Sequence, residues 1–388
     1  MKRKDVLEDF EKDFLWSLAT NKQAEAAKIL KNNFQLENII GYCVDNRIEH
    51  YFYEFLKDND LLDLLKKEYI QLIKNSIEIR AKKSLIIYQK AMKILDEFTT
   101  KDIKYVALKG MSYVEYSNTF KRPIRDIDVL IDHNDIEKAV DIAFKNGFRF
   151  KNHKKFSKDL ILNGSDIYDL PDLIDSNNVC LEIHYKILRD SESKTCKLSN
   201  NLFKDVKYFS IYGNVIKTSS LSSCISHLIY HASKKGNFDI GIGPIFDLNF
   251  LSQFISEKDM NNIRNISDEC GFKHESESFL ELIENKNLSD NVYLLKELIL
   301  SPNINTKIQE FFLHKSFFQK SKDFYKLLFV SKKHIRREFQ TKENFLLRRY
   351  FARWLRQFSQ LSKYIYLLIF KRGIFKKRAE LIRRFYKN

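Results

Sequence analysis

The chain has 388 residues, of which 44% are hydrophobic and 14% aromatic, so it is long enough for two or three domains with buried cores. Only 10 glycines and 4 prolines are present, which favours a mostly helical protein because long helices contain few of either. The five cysteines show no CxxC or other metal-ligand spacing, and the first residues lack the apolar core of a signal peptide. These features argue against a secreted, disulfide-stabilised protein and predict a cytoplasmic one.

The net charge of +16 is concentrated near the end of the chain. From Lys315 onward, 22 basic and 4 acidic side chains give +18, so the preceding residues are close to neutral. A basic segment of this kind indicates an anionic partner, either a membrane surface or nucleic acid.

The chain divides by its hydrophobic pattern. Apolar residues at spacings of three and four predict a bundle of four or five helices before residue 98. Strand-like alternation follows, and a helical pattern returns from Ser219. We therefore predict an α+β, predominantly helical protein. Its expected segments are an N-terminal helical bundle (1–98), an α/β core (99–218), a helical domain (219–314) and a basic amphipathic helical tail (315–388).

Turn signals place the smaller elements of the core. We expect a short helix from Met111 to Asn118, a helix that ends at Asn146-Gly147 and a strand within residues 148–153. Residues 154–178 are expected to form a polar loop. A second polar loop is expected before a hairpin at residues 206–216, and Ser222 and Ser223 are candidate caps for the next helix.

The stretch from Arg122 to Asp132 carries two carboxylates on one side of a predicted strand. Pro123 keeps Arg122 extended, and Asp126 and Asp128 then alternate with apolar residues. Carboxylates about 6–7 Å apart on one face repel each other, and a divalent cation is the common reason for such a pair.

Two further strands carry candidate site residues. One is apolar and ends at Lys109-Gly110, where glycine allows a backbone to come close to a ligand. The other, residues 180–187, alternates so that Glu182, His184 and Lys186 share a face.

This arrangement resembles the polymerase-β-like nucleotidyltransferase superfamily, and within it the family known as uncharacterised nucleotidyltransferases. The likeness extends over roughly residues 85–260 and lies in these stretches: Leu108-Lys109-Gly110, Arg122 to Leu130, Gly147-Phe148, Glu182-Ile183-His184, His227 to His231, and Asp247. One departure is Gly110-Met111-Ser112, because the superfamily has Gly-Ser after its first strand. Whether Lys109 or Ser112 holds phosphate is therefore open.

The resemblance implies a small mixed-sheet nucleotidyltransferase core that moves an NMP from an NTP substrate to a hydroxyl or phosphate. Asp126, Asp128 and Glu182 would hold Mg²⁺ or Mn²⁺ and carry the catalysis. The residues facing the donor would be Lys109, Gly110, Ser112, Arg122 and His184. Arg122 either pairs with a phosphate or holds its loop. His184 either orients Glu182 or fills space, and Glu182 also fits a solvent-facing position.

Three functions remain open at this point. Members of the family are often associated with surface-polysaccharide genes, which favours a small-molecule, lipid-linked or protein acceptor. The alternatives are a degenerate nucleotide-binding or membrane-associated assembly module, and an enzyme that modifies RNA ends. His227 and His231 share a helical face, as either a structural or substrate-facing pair or part of a zinc site whose other ligands are not evident.

The tail combines an apolar stripe with flanking arginines. The stripe consists of Leu347, Tyr350, Phe351, Trp354, Phe358, Leu361, Ile365 and Leu368. Its longest apolar run, Tyr364 to Phe370, is too short for the roughly 20 residues that span a bilayer. The stripe predicts either a core-packing helix or an interfacial helix that docks a cytoplasmic protein on anionic lipid; contact with nucleic acid is a third reading.

Overall fold

The computed structural model describes residues 7–32, 36–116, 123–151, 170–187, 192–211, 213–235, 238, 240–284, 289–301 and 372–387. The chain forms two compact units. The first comprises residues 1–152 and 167–301, and the second comprises residues 153–166 and 302–388.

The first unit begins with a bundle of five α-helices within the described range. They are α1 (Asp9–Ala19), α2 (Gln23–Lys31), α3 (Glu37–Asn46), α4 (Glu49–Asp58) and the long α5 (Lys67–Thr100), with a 3₁₀ turn at Leu62–Leu64. Its core is aromatic, since Phe14 of α1 meets Phe52 and Phe55 of α4 edge-on at centroid distances of 5.8 and 5.7 Å. The expected helical bundle is therefore present.

A mixed five-stranded sheet follows. Its strands are β1 (Tyr105–Ala107), β2 (Ile127–Ile131), β3 (Arg149–Phe150), β4 (Leu173–Ile174) and β5 (Cys180–His184), in the order β1-β2-β5-β4-β3. Only β2 and β5 pair in parallel, and the other neighbours are antiparallel. The helix α6 (Ile136–Lys145) lies between β2 and β3 and ends before Gly147, whose φ of 86° suits glycine. The predicted α+β, predominantly helical fold with a small mixed sheet is confirmed.

The short helix expected from Met111 to Asn118 is present as a 3₁₀ helix at Lys109–Tyr116. Two loop predictions were wrong in part. The polar loop expected at 154–178 contains β4, and its residues up to 169 lie outside the described part of the chain. The polar loop expected after β5 contains α7 (Glu192–Lys204), which buries Leu198 and Leu202. In these segments a few well-placed apolar residues determine the element, although the composition as a whole is polar.

The rest of the first unit is a hairpin followed by helices. The elements are β6 (Val206–Ile211), β7 (Asn214–Ser219), α8 (Leu221–Tyr230), α9 (Gly243–Ser252), α10 (Glu257–Cys270), α11 (Lys273–Glu284) and α12 (Asp290–Leu300). Ser220, rather than Ser222 or Ser223, caps α8, because its side chain accepts a hydrogen bond from the backbone of Ser223. A π-helical segment, His231–Lys235, continues α8.

Contacts between the two ends of this unit close it around the sheet. Tyr51 of α4 stacks on Phe246 of α9 with ring centroids 4.5 Å apart. Lys12 of α1 pairs with Glu297 of α12 at 3.2 Å. The N-terminal bundle and the later helices therefore share one packed body.

In the second unit, the structure describes one helix, α13 (Arg372–Phe385). The apolar stripe predicted from Leu347 to Leu368 lies outside the described residues. No helix in the described part of the chain is long and apolar enough to cross a membrane.

Candidate active site

The register of β2 and β5 brings the predicted acidic residues side by side. Asp128 lies opposite Glu182 in this parallel pair, and His184 lies one pair further on, opposite Leu130. One ligand atom from each of Asp128, Glu182 and His184 lies within 4.8 Å of the others. The three side chains therefore share one face of the sheet, as the alternation predicted.

Asp128 is the centre of this group. It is 2% exposed, and one of its oxygens, Oδ1, accepts hydrogen bonds from Lys109 Nζ at 2.5 Å and His184 Nε2 at 3.0 Å. Burial alone would raise the pKa of Asp128, but the bond from His184 and the charge of Lys109 outweigh it, and the pKa lies well below its usual value. Asp128 is therefore an ionised carboxylate.

Lys109 reaches the carboxylates from a strained turn. Its φ of 50° is unusual for a residue with a side chain, and it stands where β1 gives way to the 3₁₀ helix. Its Nζ lies 3.8 Å from Glu182 Oε2 as well as against Asp128. Burial would lower the pKa of Lys109, but these carboxylates raise it, so the ammonium stays charged. Ser112 is buried and donates to the Lys109 carbonyl at 2.7 Å, which stabilises the turn.

The pKa of Asp126 shifts in the opposite direction from that of Asp128. Asp126 precedes β2 and is partly buried, and burial together with the neighbouring Asp128 charge raises its pKa to about 6. Lys109 offsets this only in part. The pKa values of the two aspartates therefore shift in opposite directions, because Lys109 and His184 both bond to Asp128.

The side chains around Asp128 fit a divalent cation. Carboxylate oxygens are the ligands that Mg²⁺ and Mn²⁺ prefer, and Asp128 and Glu182 supply them. Asp126, the third predicted ligand, is not in this group, and its role as a metal ligand stays a prediction. The ammonium of Lys109 pairs with Asp128 and supplies the positive charge that a bound metal cation would supply. His184 holds Asp128 by a hydrogen bond, the usual role of a residue that orients a metal ligand.

A second cluster is less suitable for a metal. Asp172, Cys180 and Glu182 also have ligand atoms within 4.8 Å of one another. However, burial and the nearby carboxylates raise the pKa of Cys180 to about 12, so its thiol is protonated at neutral pH. A protonated thiol is a poor ligand.

A cavity of about 230 Å³ opens beside Lys109 and Asp126. Three parts of the chain enclose it. Its polar lining comprises Asn46, Arg47, His50, Tyr51, Lys109, Tyr113, Arg125, Asp126, His227, His231 and Asp247. Gly110 also lines it, whereas Ser112 does not. Sequence reasoning missed Arg47, His50 and Arg125, since neither spacing nor periodicity singles them out.

The remaining predicted site residues have different outcomes. His227 and His231 both line the cavity, with ring centroids 6.2 Å apart. Among the residues described, neither histidine forms a group with two further potential metal ligands, so the hypothesis of a zinc site gains no support. Arg122 lies outside the described residues. The chemical role of each site residue stays a prediction.

In the described residues, a mixed sheet thus presents clustered carboxylates and a lysine beside a cavity. The family described as "Uncharacterised nucleotidyltransferase" matches residues 32–285, well over half of the chain. The chain belongs to this family, so it is a nucleotidyltransferase at the level of the family. No curated protein matches it.

Lys109→Met is expected to destabilise the metal-free protein by about 2–3 kcal/mol, because it leaves buried carboxylates without their cation. Thermal unfolding in EDTA and in millimolar Mg²⁺ measures this, and the loss should shrink when the metal is present. The matched control is Lys104→Met, which breaks the 3.0 Å pair with Asp132 on a side chain that is 61% exposed. The control should change stability by less than about 1 kcal/mol. Equal losses in both variants would contradict the expectation.

Proposed function

We propose that the protein is a Mg²⁺- or Mn²⁺-dependent nucleotidyltransferase that moves an NMP from an NTP to a hydroxyl or phosphate of an acceptor. The observation that supports this best is the convergence of Asp128, Glu182 and Lys109 beside a cavity lined by cations.

Each residue has a role in this proposal. Divalent ions, when bound, neutralise charge on the triphosphate and lower the pKa of the attacking hydroxyl. Asp126, Asp128 and Glu182 hold these ions, and His184 fixes the orientation of Asp128. Lys109 neutralises Asp128 in the free protein and is placed to turn to the phosphates of the donor.

The reaction is a single displacement at the α-phosphorus. The acceptor oxygen forms the new bond to phosphorus, the bond to the bridging oxygen breaks, and pyrophosphate leaves. Glu182 is more exposed than Asp128, with 29% of its side chain accessible against 2%, which supports it as the group that takes the proton of an acceptor hydroxyl.

The acceptor is proposed to be a small molecule, a lipid-linked sugar or a protein, with a role in surface-polysaccharide metabolism. Transfer to RNA ends is the weaker proposal, because the charge of the tail is its only support. Peripheral docking of a cytoplasmic enzyme on anionic membrane through that tail is likewise a proposal.

The test is transfer of label. The protein is incubated with each of the four α-³²P-labelled NTPs, Mg²⁺ or Mn²⁺, and a cell lysate that has been separated into small-molecule, lipid, protein and RNA fractions. We expect one NTP to label one fraction, and EDTA to abolish the labelling. Absence of metal-dependent label from every fraction would contradict the proposal.

A further inference from the structure

Two arginines from distant parts of the chain meet at the cavity. Arg47 follows α3 in the N-terminal bundle, and Arg125 immediately precedes Asp126. Burial lowers the pKa of Arg47, and the positive charges of Arg125 and Arg80 lower it further, so the cations are close enough to repel one another. Arg47 is half-buried and Arg125 is exposed, so the cost falls mainly on Arg47, whose charge an anion in the cavity would stabilise.

The nearby carboxylates offset this effect only in part: burial still holds the pKa of Arg47 below its ordinary value, although the charges of Asp126 and Glu49 raise it. Arg80 is engaged by Glu49 at 2.7 Å. Across the residues that the structure describes, neither Arg47 nor Arg125 forms an ion pair. Asp126 also lines the cavity, but it is partly buried and already close to Asp128 and Lys109.

The backbone at Arg47 argues for a role of its side chain. Arg47 has a φ of 61° at the C-terminal cap of α3, a conformation that favours glycine or asparagine. Within the described segments, the residues with positive φ that are not Gly, Asn or Asp are Arg47, Lys109 and Phe238. Two of these three are cations that line the same cavity. Strain of this kind is concentrated at ligand sites.

The wall that carries Arg47 is held firmly against the later helices. Gly241 approaches α3 so closely that a Cβ there would lie 2.3 Å from Asn46 Oδ1. The neighbouring helix α4 is held by the Tyr51–Phe246 stack. The segments on either side of Arg47 therefore contact the later part of the chain.

We propose that Arg47 and Arg125 bind the polyphosphate of the nucleotide donor, which makes the N-terminal bundle part of the donor site. The inference rests on the proposed function. Guanidinium groups match phosphate oxygens in pairs, and a triphosphate carries enough negative charge to satisfy both. The cavity is smaller than the roughly 300–1,000 Å³ typical for a whole drug-sized ligand. It therefore suits the phosphates, with the nucleoside towards its opening.

The test measures anion binding without metal. Inorganic tripolyphosphate is titrated calorimetrically, in EDTA, into the wild type, Arg47→Gly, Arg125→Gln and the control Lys101→Gln. Arg47→Gly removes the cation and leaves the residue best suited to the backbone, so its Tm should be no lower than that of the wild type. Lys101 is exposed, and its replacement removes the same charge. We expect each arginine variant to bind about tenfold more weakly and the control to bind like the wild type.

Further titrations with other phosphate compounds identify which class of ligand the site binds. ATP and GTP without metal should displace tripolyphosphate, whereas inorganic phosphate and glucose 1-phosphate should bind at least about tenfold more weakly. If a monophosphate binds as tightly and no NTP competes, the site serves a phosphorylated acceptor, and the proposal is overturned. Wild-type affinity in a folded Arg47→Gly or Arg125→Gln variant also overturns it.

These experiments distinguish a failure of the polyphosphate site from a failure of the proposed transferase function. If the arginines bind tripolyphosphate and NTP but no fraction is ever labelled, the transferase proposal fails and the polyphosphate site stands. If label is transferred and the arginine variants keep the wild-type KM for NTP, the transferase proposal stands and the polyphosphate site fails.

Discussion

Asp128→Asn is expected to lower nucleotidyl transfer by at least about 10²–10³-fold. The substitution preserves shape but removes the one carboxylate that is buried, ionised and bonded to both Lys109 and His184. Without that charge, only Asp126 and Glu182 remain as anionic ligands in the proposed site. The measurement is kcat/KM for the NTP that labels an acceptor, together with calorimetric titration of Mn²⁺.

The control for this prediction is Asp132→Asn. Asp132 follows the same strand, pairs with Lys104 and caps the next turn, a role that asparagine also fills. Its activity should stay within about threefold of the wild type. Asp128→Asn is also expected to unfold at a lower temperature, so both variants are assayed well below their Tm. Wild-type activity and unchanged metal affinity in Asp128→Asn would remove this residue from the catalytic group.

The strand that carries Asp126 and Asp128 was predictable because its signals are local. Alternation over Ile127 to Ile131 defines a strand and the face of each side chain, whatever its partner. The same reasoning placed Glu182 and His184 on one face of β5. The sequence does not give the register between β2 and β5. Each strand has only two faces, however, so the site residues of the two strands had an even chance of lying on the same face of the sheet.

The cavity was not predictable, because tertiary packing assembles it from separate elements. Arg47 enters from the N-terminal bundle and His227 from α8, and no spacing links either to Lys109. The positive φ of Arg47 contradicts local propensity, and no pattern in one sequence reveals it. Likewise, the division of charge between Asp126 and Asp128 depends on where the Lys109 ammonium lies.

Asp126→Asn is expected to have the opposite effect on stability from Asp128→Asn. The folded-state pKa of Asp126 is about 6, above the ordinary value of 3.8, so the folded protein binds this proton more tightly than the unfolded chain does. Its contribution to stability is present at low pH and is lost as the pH rises through 6. At pH 8 the ionised side chain therefore destabilises the metal-free protein by about 2 kcal/mol, and asparagine removes that penalty.

Urea unfolding in EDTA between pH 4 and pH 8 measures this difference. Asp126→Asn should be more stable than the wild type by about 2 kcal/mol at pH 8, and the gain should fall through pH 6 and vanish near pH 4. Asp132→Asn should show the reverse sign, because the hydrogen bond from the Asn134 backbone lowers the pKa of Asp132.

Millimolar Mg²⁺ should stabilise the wild type more than Asp126→Asn, since the cation makes the ionised carboxylate favourable. If the stability gain of Asp126→Asn did not depend on pH, ionisation of Asp126 would not destabilise the folded protein. If the variant were less stable than the wild type at pH 8, the charge of Asp126 would stabilise the fold. The expected result instead makes Asp126 a residue whose charge weakens the free protein and is stabilised only when a cation binds.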